Sequence, residues 1–111
     1  MSRTLADATT VDLPDKLAAG TEVVAGQPRA ATATLAALGG MEIGVWEMTA
    51  GTARDVEAEE VFVVVSGQGT VSFDDGEQIE LRPGIVVRLR AGDRSTWLIT
   101  HTLRKVYLSA A

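Results

Sequence analysis

Beyond residue 20, turn-forming residues interrupt this chain at intervals of about eight to twelve positions. Gly26-Gln27-Pro28, Gly39-Gly40, Gly67-Gln68-Gly69, Asp74-Asp75-Gly76 and Arg82-Pro83-Gly84 mark the breaks. Little room is left for helices, and no segment after residue 40 carries a helical period. Between the breaks, apolar residues alternate with polar ones, or run continuously, as in half-buried or fully buried strands. Strands are predicted over 21–24, 30–38, 41–48, 60–66, 70–73, 77–81, 85–89, 95–100 and 102–108. Residues 49–54 are read as a turn around Gly51, and 55–59 as the lead into the next strand. Only 30–38 is ambiguous, because its alanines favour helix. Its alternation and the Gly39-Gly40 stop favour strand. This pattern predicts an all-β barrel or sandwich.

With 111 residues the chain makes one domain with a modest core. Residues 1–20 are mixed and polar and are expected to form an N-terminal arm, with the barrel over 21–111. Net charge is −5. An acidic surface gives no electrostatic reason to bind nucleic acid or anionic lipid. No apolar run approaches the length of about 20 residues that a membrane helix needs, and the N-terminus has no apolar signal core. A cytoplasmic location is expected. The chain has no cysteine, which removes disulfides, thiolate metal sites and a cysteine nucleophile.

The segment Glu60-Val61-Phe62-Val63-Val64-Val65-Ser66-Gly67 places a carboxylate at the head of a strand that is apolar on both faces. Glu60, Phe62, Val64 and Ser66 share one side, and Val61, Val63 and Val65 the other. Both sides are expected to be covered, one by the barrel interior and the other by a second sheet or a subunit interface. A homodimer is expected on this ground.

The spacing of Glu60 and Gly67, with Gly84 and Gly92 downstream, resembles the two motifs of the cupin superfamily. The strings Val45-Trp46-Glu47, Gly51-Thr52, Arg54, Ser95-Thr96-Trp97 and Arg104-Lys105-Val106-Tyr107 narrow the likeness. They resemble single-domain cupins of the ethanolamine-utilisation and ureidoglycine-aminohydrolase type, over about residues 41–108. The resemblance implies a double-stranded β-helix (jelly-roll) barrel with Glu60 aimed into the cavity. In metal cupins that carboxylate is a ligand beside histidines. Here the first motif's histidine positions fall on Arg54 and Val56, or on Ala53 and Asp55. Ser95 stands at that of the second. No metal cofactor is therefore expected.

Trp46, Arg54, Glu60, Phe62 and Trp97 are the candidate ligand-binding residues, with Arg54 as charge partner of Glu60. Glu60 is also the candidate catalytic acid or base, or simply a carboxylate satisfied by Arg54. Asp55, Glu57 and Glu59 read as a solvated acidic edge, facing away from Glu60. His101, the one histidine, lies outside the motif positions. Lys105 and Tyr107 share one strand face, expected to meet solvent. Arg88 and Arg90 share another, either lining the cavity or exposed and paired with Glu77 or Glu80. The expected function is binding of a small polar metabolite in the barrel. The alternatives are an enzyme using Glu60 and a ligand-free structural or regulatory dimer.

Overall fold

The computed structural model describes residues 2–14 and 17–110. Residues 1 and 111, the outer ends of the expected arm and barrel, lie outside the described residues, as do 15 and 16. Among the described residues there are nine strands and no helix: β1 Leu17–Ala18, β2 Glu22–Ala25, β3 Arg29–Leu38, β4 Met41–Met48, β5 Gly51–Val56, β6 Glu60–Phe73, β7 Gln78–Leu81, β8 Val86–Leu89 and β9 Arg94–Ala110. All pair antiparallel in one sheet that wraps around the core. Its main path runs β1-β3-β4-β9-β5-β2, with β6 joined to β7, β8 and β9.

Two long strands organise the barrel. The first half of β9 pairs with β5, from Val56↔Arg94 to Gly51↔Ile99. Its second half pairs with β4, from Met48↔Leu103 to Met41↔Ala110. Strand β6 follows β9 along its other edge, from Glu60↔Ser109 to Phe73↔Ser95.

The turn chemistry does what its residues dictate. Gly39 and Gly40 both take positive φ, 57° and 78°, and close the β3–β4 hairpin. At Arg82-Pro83-Gly84 the Ile85 amide donates to the Arg82 carbonyl at 3.1 Å, with Gly84 at φ 96°. That is the proline-then-glycine pattern of a type II turn.

Three local expectations change. Residues 51–56 form β5 rather than a turn, because the first half of β9 offers them a complete ladder. The breaks expected at Gly67-Gln68-Gly69 and near His101 are irregularities inside continuous strands. The β6–β9 register shifts between Val64 and Gly69 while pairing continues. A strand that changes partners along a barrel must bend, and bulges supply the bend. Gly67, at φ 92°, makes this one possible. A Cβ there would lie 2.6 Å from the Leu103 Cα and closer still to the Thr102 carbonyl.

The core is the inward face of these strands. Phe62, Met48, Leu81, Leu89, Leu103, Val64 and Val71 are almost fully buried there. Residues 61, 63 and 65 of β6 face outward, where Val63 and Val65 are half-buried and Val61 is exposed. Val61 is 37% exposed, as is its cross-strand neighbour Leu108, and Val86 is 66% exposed.

Candidate functional site

Register builds the site row by row. Thr32 pairs with Trp46, Trp46 with Lys105, and Lys105 with Val64. In the next row inward-facing positions bring Gly44, Tyr107 and Phe62 side by side. Across the barrel, Trp97 pairs with Ala53, and Asp55 follows on the same face of β5. Of these, Thr32, Trp46, Ala53, Asp55, Trp97, Lys105 and Tyr107, joined by Gly20, Met48, Glu57 and Glu60, line a cavity of about 220 Å³.

Gly44 is what lets Tyr107 lie flat at its position. A Cβ on residue 44 would fall 2.5 Å from the Tyr107 hydroxyl oxygen and from the Ala33 carbonyl. The Tyr107 hydroxyl donates to Glu42 Oε2 at 3.2 Å and lies 3.3 Å from Thr32 Oγ1.

Glu60 points into the cavity, as expected. Its partner is Lys105, not Arg54: Lys105 Nζ donates to Glu60 Oε2 at 2.7 Å. The same ammonium lies 4.6 Å from the centroid of a Trp46 ring, 4.3 Å from Phe62 and 4.8 Å from Trp97. All three distances are within cation–π range. Trp97 packs against both other rings, at centroid separations of 5.4 and 5.6 Å. Four of the five candidate ligand-binding residues therefore come together around one cation that sequence reading placed in solvent.

Arg54 is the fifth, and it is elsewhere. It alternates with the inward residues Ala53 and Asp55, so β5 turns it outward. There it is 60% exposed and lies 3.8 Å from Glu22. The expected solvent-facing role of Lys105 and Tyr107 is likewise overturned, since both are buried. Leu103, of the same parity on β9, was the available signal, because a leucine on that face belongs to a core.

The acidic run divides instead of forming one solvated edge. Asp55 and Glu57 line the cavity with Glu60, whereas Glu59 faces out and pairs with Arg88. Strand periodicity fails here because residues 57–59 lie between β5 and β6. The Glu57 amide donates to the Asp93 carbonyl at 2.8 Å, and its own carbonyl accepts from Gly92. The clip keeps Glu57 in the inward phase of Ala53 and Asp55, where Oε2 accepts from Trp97 Nε1 at 2.9 Å and from the Ser95 hydroxyl. Burial, then the neighbouring Glu57 charge, push the Asp55 carboxyl above its ordinary pKa, opposed by the Val56 amide and Lys105. Glu59 is held below its ordinary value by the Ala91 amide and then Arg88. Arg88 and Arg90 are on the exposed side of the chain, as is His101.

The residues present do not fit the metal of histidine-bearing cupins. Arg54 and Val56 point outward, Ala53 offers no donor, Asp55 alone of the four brings oxygens to the cavity, and the Ser95 hydroxyl is turned to Glu57. An ammonium holds the Glu60 carboxylate. Among the described residues, no group of three or more histidine, aspartate or glutamate side chains is arranged to hold an ion.

Residues 35–107 match the EutQ-like cupin domain family. No curated protein matches the chain. Among solved structures, EutQ from Clostridium difficile is 18% identical with a TM-score of 0.65, over 75% of this chain and 68% of that one. A Rhizobium leguminosarum protein of unknown function is 23% identical, also at 0.65, over 72% and 79%. A cupin superfamily protein from Desulfitobacterium hafniense is 15% identical at 0.64, over 99% and 92%. At these identities the structural likeness speaks to the fold. The sequence match covers most of the barrel, and the chain belongs to the EutQ-like cupin domain family.

Proposed function

We propose that the barrel cavity binds a small polar metabolite carrying a cationic group, without a histidine-held metal. One observation carries this reading. Three carboxylates, Asp55, Glu57 and Glu60, converge on a small cavity that holds one ammonium, Lys105. Glu60 is taken by Lys105 and Glu57 accepts from Trp97 and Ser95, but the Glu57 charge still repels Asp55 beside the open space. A ligand ammonium or amidinium placed there would relieve that repulsion, and Trp46 and Trp97 supply flat apolar walls. A volume near 220 Å³ suits a molecule of few heavy atoms.

A thermal-shift screen of small amines, amidines, carboxylates and polyols tests the reading. A cationic ligand at about a hundred times its Kd should stabilise the fold by about 2.7 kcal/mol. The shift should shrink in Asp55→Asn and Glu57→Gln. Stabilisation by carboxylates alone would defeat the proposal.

A second reading is an enzyme with Glu60 as acid or base. Its support is the contact between Glu60 and Lys105 at the cavity wall, a ready pair for moving a proton. Unchanged turnover in Glu60→Gln, on any substrate found, would remove it. We further propose a cytoplasmic homodimer paired through the exposed Val61, Val86 and Leu108 face. Light scattering on wild type and Val86→Glu distinguishes a dimer from a monomer.

A further inference from the structure

We propose that Trp46, Phe62, Trp97 and Glu60 form an ammonium-recognition box, and that Lys105 is its tethered occupant. On this view the chain carries its own cation at the carboxylate where other cupins place a metal. The inference does not rest on the cavity having a natural ligand. It concerns the space that Lys105 already fills, not the open space beside Asp55 and Glu57.

The position of the nitrogen supports this. Long lysine side chains bury their stem and let the charged head reach water. Lys105 does the opposite. Its side chain is 5% exposed, and Nζ lies 4.3–4.8 Å from three ring centroids. The rings come from three strands, β4, β6 and β9, so the enclosure is a product of the fold and not of one local segment. Ring faces present negative charge to a cation, and Glu60 completes the box with a formal countercharge at 2.7 Å. A divalent ion at Glu60 would sit against the ammonium and be repelled by it. The cage selects a monovalent organic cation, and residue 105 decides whether that cation is internal or free.

Removing Lys105 beyond its β carbon deletes a fragment equivalent to propylammonium, which is therefore the probe. Tryptophan fluorescence of Lys105→Ala should respond saturably to propylammonium chloride, beyond any response of wild type. Affinity should exceed that for propanol by about tenfold or more. The gain should fall in the Lys105→Ala/Glu60→Gln double variant. Equal affinity for propanol, or no saturable gain in folded Lys105→Ala, would overturn the proposal. Wild-type protein gives a test that does not depend on the variant folding. The ε-methylene protons of Lys105 should be shifted upfield by the rings in NMR, with an ammonium signal protected from water exchange. Shifts like those of a free lysine would overturn it equally.

Discussion

Lys105 Nζ and Glu60 Oε2 meet at 2.7 Å, with side chains only 5% and 16% exposed, on adjoining strands of the barrel. Neither charge has easy access to water, so each depends on the other. Breaking a buried pair from one side strands a charge, which costs about 3–5 kcal/mol. Lys105→Met and Glu60→Gln should each lose stability on that scale. The Lys105→Met/Glu60→Gln double variant should lose much less than the sum. Urea unfolding of the four proteins as a double-mutant cycle checks this. Additive losses would mean that the two groups are not coupled.

Asp55 predicts a stability change with pH. Its carboxyl is raised above the ordinary 3.8 by burial and by Glu57. The folded chain therefore holds this proton more tightly than the unfolded chain does. Stability falls as pH rises from 3.8 through the folded value, and the cost of ionising Asp55 is fully present above it. Asp55→Asn should be more stable than wild type at neutral pH, and the advantage should vanish below 3.8. Denaturant melts across that range measure the difference.

Two glycines of similar φ should respond differently to alanine. Gly67 and Gly76 sit at 92° and 96°. Nothing lies within 4 Å of a Cβ built on Gly76, whereas one on Gly67 meets the backbone of Thr102 and Leu103. Gly76→Ala should cost only its left-handed conformation, about 1–2 kcal/mol. Gly67→Ala should cost distinctly more, because β6 and β9 would have to separate. Thermal melts of the two variants give the comparison.

Gly44→Ala should disturb the site without touching its charges. The added methyl competes for the place of the Tyr107 ring and should cost about 1–3 kcal/mol as overpacking. A change in tyrosine and tryptophan near-ultraviolet dichroism would mark the repacking of the cavity wall.

Arg54→Ala should leave stability within about 1 kcal/mol of wild type, as expected for one exposed ion pair. It should also leave ligand-induced thermal shifts unchanged. A lost shift would return Arg54 to the site.

The barrel was legible in the chain because each strand is short and bounded by residues with one conformational use. Gly39-Gly40, Asp74-Asp75-Gly76 and Pro83-Gly84 each close the turn that their chemistry specifies. Glu60 was legible as a cavity residue through the spacing of the cupin motif, Trp46 and Trp97 through the strings that narrow the likeness, and Phe62 as an inward residue through the face it shares with Glu60. Lys105 and Tyr107 were not, because alternation says that two residues share a face but not which face is inside. Glu57 was misread for a different reason. Period two holds only while the chain stays in a strand: Glu57 keeps the inward phase of Ala53 and Asp55, and the phase is lost between Glu57 and Glu60.

The sequence by itself determined most of the strands, the hairpin turns and the family, since these depend on local backbone preference and on residue spacing; β5 and the continuity of β6 and β9 needed their partners in the sheet. Only the tertiary structure decided which charge answers Glu60. Arg54 is six residues away in the chain and faces out of the barrel. Lys105 is forty-five residues away, but β9 runs antiparallel beside β6 and carries it into the ring of Trp46, Phe62 and Trp97. Pairing of a buried charge is set by distance in space and by exclusion of water, and neither is written in the order of residues.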